Sequence, residues 1–203
     1  MKFAMIICFF CTSLIGAQNR FEKHIDATGI TTFAIKLTHS SKLKITTTSD
    51  SILKLSTIAE GVYQNQVTLI AHQSDTKKIN IADVLQPTFD DHNDKLSAHK
   101  IHAITTTITL PKNKDVMIEM ASGTIMITGD YRHLFVKSDA ANSTLKTFTG
   151  NAKILAKNGT ITAYIKNFNS KTVTNTEKST HIITEDGNEL VFETTLGKVI
   201  IIK

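Results

Sequence analysis

The sequence contains few of the residue types that form cross-links or nucleic-acid interfaces. Its 203 residues include no tryptophan and two cysteines, Cys8 and Cys11, both close to the N-terminus. A chain that loses this stretch has no disulfide, thiolate nucleophile or cysteine metal site, so burial and backbone pairing must hold its fold. Arginine occurs only at Arg20 and Arg132. Nucleic-acid interfaces cluster arginine and lysine around aromatic side chains, so we expect no nucleic-acid partner.

The first 17 residues have the pattern of a secretory signal peptide. Lys2 precedes an apolar stretch that begins at Phe3, and small residues follow up to Ala17. The apolar stretch is shorter than the roughly 20 residues of a membrane-spanning helix, and Cys11 follows the bulky Phe10 and not the small residue of a lipid-attachment site. We therefore expect cleavage after Ala17. The mature chain would then have no transmembrane segment and would be exported to the periplasm, the outer cell surface or the medium.

Composition and alternation both predict β-structure. Threonine and isoleucine account for 30 and 26 residues, and such β-branched side chains favour strands over helices. Apolar residues alternate in several stretches, the longest of which extends to Pro111. Apart from one possible helical turn near 94–98, no helical period is sustained. We predict an all-β chain in which the following residues share strand faces: Phe33, Ile35 and Leu37; Leu43, Ile45 and Thr47; Val67, Leu69 and Ala71; Ile79 and Ile81; Ile104, Thr106, Ile108 and Leu110.

Glycine marks a change of organisation along the chain. Two glycines occur between 18 and 120, whereas six occur between 121 and 203, and each of the six precedes a short aliphatic stretch: Gly123, Gly129, Gly150, Gly159, Gly187 and Gly197. We expect these glycines to supply the positive φ of sharp corners. We therefore predict a signal peptide (1–17), a less regular β-rich N-terminal part (18–115) and a glycine-punctuated part of the same domain (116–203).

Near-repeats in the second part favour one of two architectures. The stretches "ASGTIMITGD", "NSTLKTFTGN" and "NGTITAYIKN" each read as a corner, a short strand and a corner. Consecutive hairpins would suit the turns at Asn158–Gly159 and Asp186–Gly187. Stacked rungs would explain the repetition itself, because they place equivalent residues above one another. We predict a single-stranded β-helix, or β-solenoid, for 116–203, with an irregular rung or looped insertion at 168–186, where the rung glycine is missing.

A family resemblance rests on segments spread along the chain. They are the opening "FEKHIDATGI", the segment "NDKLSAHKI" before "ITLPKN", and the tail "SGTIMITG", "NGTITAYIK" and "LGKVIII". Together with the signal peptide they resemble a secreted bacterial adhesin family of head-GIN type, whose function is unassigned. The resemblance implies a β-solenoid-like extracytoplasmic domain. It supplies no functional residues to transfer.

The sequence offers one candidate metal stretch and no catalytic motif. "FDDHNDKLSAHKIH" (89–102) contains the possible donors Asp90, Asp91, His92, Asp94, His99 and His102. Their spacing matches no metal signature, and the stretch lacks the glycine of a calcium loop, so a solvated loop is the simpler interpretation. No G-x-S-x-G motif is present. The other histidines are isolated, and we expect them at exposed strand positions: His24, His39, His72, His133 and His181. We predict no enzyme, no catalytic or cofactor-binding residue, no metal ligand and no cofactor.

The remaining features favour binding over extended surfaces. The lysines are spaced as solvated strand positions: Lys36, Lys42, Lys44, Lys54, Lys137, Lys146, Lys153 and Lys157. The absence of tryptophan argues against a deep sugar pocket, while rows of threonine, asparagine and lysine suit many weak contacts. We expect an adhesin-like module whose partner is a cell-surface protein or polysaccharide. The alternative is a structural or regulatory envelope protein without a specific ligand. We also expect Ile125 and Ile161 in the core and "KVIIIK" as a paired final strand.

Overall fold

The structure is a computed structural model that describes residues 19–60, 67–85, 103–165, 169–174, 179–185 and 187–203. The expected signal peptide and the polar stretch 89–102 lie outside these ranges. The described residues form 13 strands and no helix, which confirms the all-β prediction. No helix in the described part of the chain is therefore long and apolar enough to cross a membrane.

The strands join into one sheet that curls into a nearly closed, barrel-like shape. The longest strand, β8, has 42 residues and contributes several stretches to this sheet. In chain order the strands are β1 (Asn19–Asp26), β2 (Thr32–Leu37), β3 (Lys42–Thr48), β4 (Ile52–Glu60), β5 (Val67–Asp75), β6 (Lys78–Leu85), β7 (Ala103–Pro111), β8 (Asp115–Ala156), β9 (Thr160–Tyr164), β10 (Asn169–Thr174), β11 (Ser179–Glu185), β12 (Asn188–Thr194) and β13 (Lys198–Ile202).

Two series of pairings connect the N-terminal strands to β8. In the first, β5 pairs antiparallel with β6, β6 pairs parallel with β2, and β2 pairs parallel with residues 115–120 of β8. In the second, the antiparallel strands β1, β4 and β7 lead to β3, which lies parallel to β7 and to residues 124–127 of β8. The consecutive strands β2 and β3 thus enter different series.

The later strands extend both series, mostly in parallel. Strand β12 pairs with residues 152–156 of β8, and residues 143–145 of β8 pair with β9, which pairs with β13. An irregular rung or looped insertion was predicted at 168–186, and the described strands there are antiparallel: β10 pairs with β11, and β11 pairs with β12. The prediction of a paired final strand is confirmed by the pairing of β13 with β9.

Glycines serve two different purposes at the corners. Gly123, Gly129 and Gly150 have φ values of +111°, +113° and +118°, as predicted for sharp corners. The prediction of positive φ is wrong for Gly159 and Gly197. A Cβ at Gly159 would collide with the carbonyl oxygen of Ala141, and one at Gly197 would collide with that of Gly159. Glycine is needed at these two positions because neighbouring backbones approach closely.

The two predicted hairpin turns have different outcomes. For the turn predicted at Asp186–Gly187, Glu185 and Asn188 on either side pair in an antiparallel ladder, and Gly187 has the predicted positive φ of +81°. Asn158–Gly159 is instead a corner, since it leads from β8 into β9 and these strands run parallel where they pair. A local Asn-Gly signal therefore does not separate a hairpin from a corner.

The core lies inside the curled sheet and follows the alternation of the sequence. Phe33, Ile35 and Leu37 are buried, and so are the predicted core residues Ile125 and Ile161, both with 0% exposure. Thr47 is half-buried, and its Oγ1 accepts a hydrogen bond from the Asp130 amide at 2.8 Å. One main cluster of buried side chains joins both ends of the described chain, from Ala27 to Phe192.

Candidate interaction surfaces

A buried carboxylate organises the connection between β2 and β3. Asp83 accepts hydrogen bonds from the backbone amides of Thr38, His39 and Ser40 at 2.7–2.9 Å, and from the Ser40 hydroxyl at 2.8 Å. The Ser40 hydroxyl also lies 2.8 Å from Oγ1 of Thr106. These bonds use the carboxylate as a structural acceptor for the corner. Its inward position on β6, two residues after Ile81, is a sequence signal that could have identified it.

A second carboxylate lies at the outer surface where β8 begins. The Asp115 carboxylate accepts a hydrogen bond from Nε of Arg132 at 2.7 Å and a second one from Nη2 of the same guanidinium. Nδ1 of His133 lies 2.9 Å from Oδ1 of Asp115. The hydrogen bond from Arg132 lowers the pKa of Asp115 to about 2. The Asp115 carboxylate thus stays charged over the physiological range. His133, predicted as an isolated exposed histidine, is exposed but contacts this carboxylate.

An open groove of about 550 Å³ lies next to Asp115 on the outside of the first series. Its apolar side chains come from the middle of the strands, where Met117 is 45% exposed and Phe135 and Val191 are half-buried. Asp115, His133, Asn151 and Glu189 supply polar groups along it, together with Thr32 and Lys153. The groove can hold an apolar group beside charged ones. Phe135 was not predicted as a surface residue, although the alternation of β8 places it outward.

The outside of the second series has a different chemistry. We call the Lys–Thr face the outward side chains of β3, β4 and β7 and of residues 124–128 of β8. Strand pairings bring these four stretches side by side in the order β4, β7, β3, β8. Their alternating burial identifies the outward residues: Lys42, Lys44, Thr46, Thr48, Ile52, Lys54, Ser56, Ile58, Thr105, Thr107, Thr109, Thr124, Met126 and Thr128.

Acidic side chains border the Lys–Thr face and are absent from the outward positions named above. Asp50 lies in the turn before β4, 3.8 Å from Nζ of Lys54. Glu22 and Asp26 lie on β1, which pairs with β4. The predicted solvated lysines are thus distributed over two surfaces. Lys42, Lys44 and Lys54 share the Lys–Thr face, whereas Lys36 is paired in register with Glu119 on the groove side.

The six possible metal ligands predicted from the sequence lie outside the described residues: Asp90, Asp91, His92, Asp94, His99 and His102. Among the residues that are described, no three His, Cys, Asp or Glu side chains gather as a metal site would require. The other predicted histidines stay apart from one another. His24 contacts Glu22 at 3.0 Å, and His72 lies 3.4 Å from the Asn80 amide nitrogen.

Comparison with known proteins gives a likeness of fold. No family model and no curated protein matches the chain. A structure from Clostridium sporogenes described as a "putative cell adhesion protein" is 15% identical, covers 91% of this chain and 98% of its own, and has a TM-score of 0.58. A "putative adhesin" from Bacteroides fragilis is 11% identical over 90% of this chain and 97% of its own, with a TM-score of 0.36. The Clostridium structure therefore has a fold similar to that of this chain.

Proposed function

We propose that this chain is an exported, non-catalytic, adhesin-like module that binds a cell-surface polysaccharide or protein through the outer faces of its strands. The observation that carries the proposal is the Lys–Thr face, where lysine and hydroxyl side chains from four adjacent stretches make up most of one surface. Open faces of this kind suit many weak contacts that add up over an area or over several copies.

The proposed architecture is a β-solenoid interrupted by the β10–β11 hairpin. Parallel pairing of β8 with β2, β3, β9 and β12 supports stacked rungs. The close approaches of Gly159 to Ala141 and of Gly197 to Gly159 support the same arrangement, because they place one corner directly upon another. In a solenoid, equivalent outward residues form rows across the rungs, which would extend each face along the stack.

The non-catalytic part of the proposal rests on how the carboxylates are used. The Asp83 carboxylate accepts hydrogen bonds from three backbone amides and one hydroxyl. The Asp115 carboxylate accepts two hydrogen bonds from the guanidinium of Arg132. Bonds of this kind use each carboxylate as a structural acceptor. General acid–base catalysis instead needs two titratable groups whose environments separate their pKa values.

The fold likeness favours adhesion over the alternative of a structural or regulatory envelope protein. The Clostridium structure is described as a "putative cell adhesion protein", and the similarity covers 98% of its length. Export is proposed from the expected signal peptide at 1–17. Membership of the head-GIN adhesin family is likewise a proposal that rests on the sequence resemblance.

The test is direct binding to cells by residues 18–203 carrying a fluorescent label. We expect saturable binding to bacteria or cultured epithelial cells that unlabelled protein competes away. The matched control carries Ile125→Asp, which should lose the folded faces while keeping almost the same composition. No saturable binding by the folded chain, together with co-purification with other envelope proteins, would favour the envelope alternative and overturn the adhesin proposal.

A further inference from the structure

We infer that the Lys–Thr face binds a polysaccharide that carries carboxylate, sulfate or phosphate groups. This inference rests on the proposed function and adds the chemical class of the partner and the surface that receives it. Four observations carry it: unpaired lysines, rows of hydroxyl groups, a second patch that also combines lysine and threonine, and a contrasting surface on the groove side.

The lysines provide a positive field that nearby acids do not cancel. Lys42 and Lys44 are outward residues of β3, and among the described residues neither lies within ion-pair distance of a carboxylate. Alternate residues on a strand are about 6.8 Å apart, so these two charges lie close together. Lys54, two strands away, shares its charge with Asp50 at 3.8 Å. A face with one sign of charge attracts a polyanion and orients its approach.

Hydroxyl groups fill the space between the lysines. Thr107 lies between Lys44 on β3 and Ser56 on β4, and Thr109 lies between Thr46 and Lys54. The hydroxyls of Thr46 and Thr109 are 3.2 Å apart. Each hydroxyl can both donate and accept, and neighbouring strands place them at about 4.8 Å intervals. Sugar hydroxyls have the same double capacity, so a glycan can exchange hydrogen bonds with the rows while its acidic groups meet the lysines.

A second patch towards the C-terminal end also combines lysine and threonine, together with the exposed Ile200 and Tyr164. Thr144 pairs with Thr162 and Ile200 with Thr162, so outward residues of β8, β9 and β13 lie side by side. Lys146 and Lys198 flank them and are exposed, with Nζ of Lys146 lying 5.0 Å from the centre of the Tyr164 ring. A polymer can engage both patches at once, and linked contacts strengthen weak binding.

The groove side argues for a polysaccharide rather than a membrane or a nucleic acid. Membrane-surface binding combines basic groups with an extended apolar surface on one face. Here the apolar groove of Met117 and Phe135 lies on the first series, whereas Lys42 and Lys44 lie on the second, where three of the fourteen named outward side chains are apolar. Single-stranded nucleic acids stack on aromatic side chains, and the outward residues of the Lys–Thr face include no aromatic or arginine. Hydroxyl rows with dispersed lysines fit a charged glycan.

The experiment compares two charge-matched variants on two matched polymers. Residues 18–203 are titrated with carboxymethyl dextran and with unmodified dextran. One variant carries Lys42→Gln and Lys44→Gln, and its control carries Lys137→Gln and Lys153→Gln, which remove the same charge from exposed groove-side positions. We expect binding to the carboxylated polymer alone, about five- to tenfold weaker in the first variant and within about twofold of wild type in the second.

A third variant separates hydroxyl recognition from simple charge attraction. Thr107→Val keeps the shape and the charge, and we expect about threefold weaker binding because one hydroxyl is lost. Equal losses in both lysine variants, unchanged binding by Thr107→Val, or equally tight binding to duplex DNA or phosphatidylglycerol vesicles would overturn the inference. If cells are still bound while the Lys–Thr variants match wild type, the adhesin proposal survives and only this inference fails.

Discussion

Single residues control how closely neighbouring backbones approach in this fold. Gly150 combines φ +118° with a position where a Cβ would collide with the carbonyl oxygen of Tyr131. Gly29 also has positive φ, +78°, but a Cβ there would meet nothing within 4 Å. Both glycines therefore adopt a backbone conformation with positive φ, but only Gly150 also lies too close to a neighbouring backbone for a Cβ.

Alanine substitution at these glycines separates the two requirements. We expect Gly29→Ala to destabilise by about 1 kcal/mol, from backbone strain alone. Gly150→Ala should destabilise by roughly 3 kcal/mol or more, because the backbones must also move apart. Urea denaturation followed by circular dichroism measures both values. Equal losses would show that corner-to-backbone contact does not limit the fold.

The Asp115–Arg132 pair makes the stability of the fold depend on pH. The pKa of Asp115 is lowered from 3.8 to about 2 in the folded chain, so the pair stabilises the fold fully above about pH 4, and this contribution is lost as the pH falls towards 2. Solvent exposure of both side chains keeps the effect small. Asp115→Asn should be less stable at pH 7 and have a shallower acid dependence between pH 4 and 2. Parallel pH–stability curves for the two proteins would contradict the assignment.

Elements in this chain depend on polar anchors as well as on apolar alternation. The β2–β3 connection directs the chain from one pairing series into the other, and its amides at 38–40 point at Asp83. Three backbone donors converge on one buried carboxylate and fix the corner, and the amide of the buried Ser40 would otherwise lack this partner.

Removing this anchor should weaken the whole sheet. We expect Asp83→Ala to lower the free energy of unfolding by roughly 3 kcal/mol, since several buried donors lose their acceptor. The control is Asp139→Ala, at an exposed position, which should change it by less than about 0.5 kcal/mol. Thermal and urea unfolding measure both variants, and a loss no larger than that of the control would show that water replaces the carboxylate.

The sequence predicted the strands better than it predicted the connections between them. Alternation identified β2, β3 and β7, because a residue at every second position must be apolar to reach the core. The Asn-Gly pair at 158 predicted a hairpin turn with positive φ at Gly159, whereas Gly159 lies at a corner and lacks positive φ. Gly159 is explained only by its distant neighbour Ala141, which no local pattern specifies.

At the scale of the whole molecule, long-range pairing decides which side chains share a surface. Thr32 pairs with Asp115 and Lys42 with Thr124, each across some 80 residues of chain. The sequence showed the lysines as scattered, and only the order β4, β7, β3, β8 brings Lys42, Lys44 and Lys54 onto one face. The groove with Phe135 likewise depends on which strands become neighbours.

A shared core predicts that the described strands unfold together. Ile125 is fully buried whereas Ile200 is 43% exposed. Ile125→Asp should destabilise by at least about 4 kcal/mol and Ile200→Asp by less than about 1 kcal/mol, because only the first buries an unpaired charge. Circular dichroism and size-exclusion chromatography report the outcome. Retained solubility and strand signal in Ile125→Asp would contradict the placement of this residue.

The most direct measurement of the central claim, that binding uses the outer faces of paired strands, is NMR mapping of the carboxymethyl dextran complex. Threonine and methionine methyl, phenylalanine ring and lysine side-chain signals of residues 18–203 are followed during titration. We predict that the shift changes concentrate on Lys42, Lys44, Thr105, Thr107 and Thr109. Changes centred on Met117 and Phe135, or the absence of any shift at saturating polymer, would contradict the account.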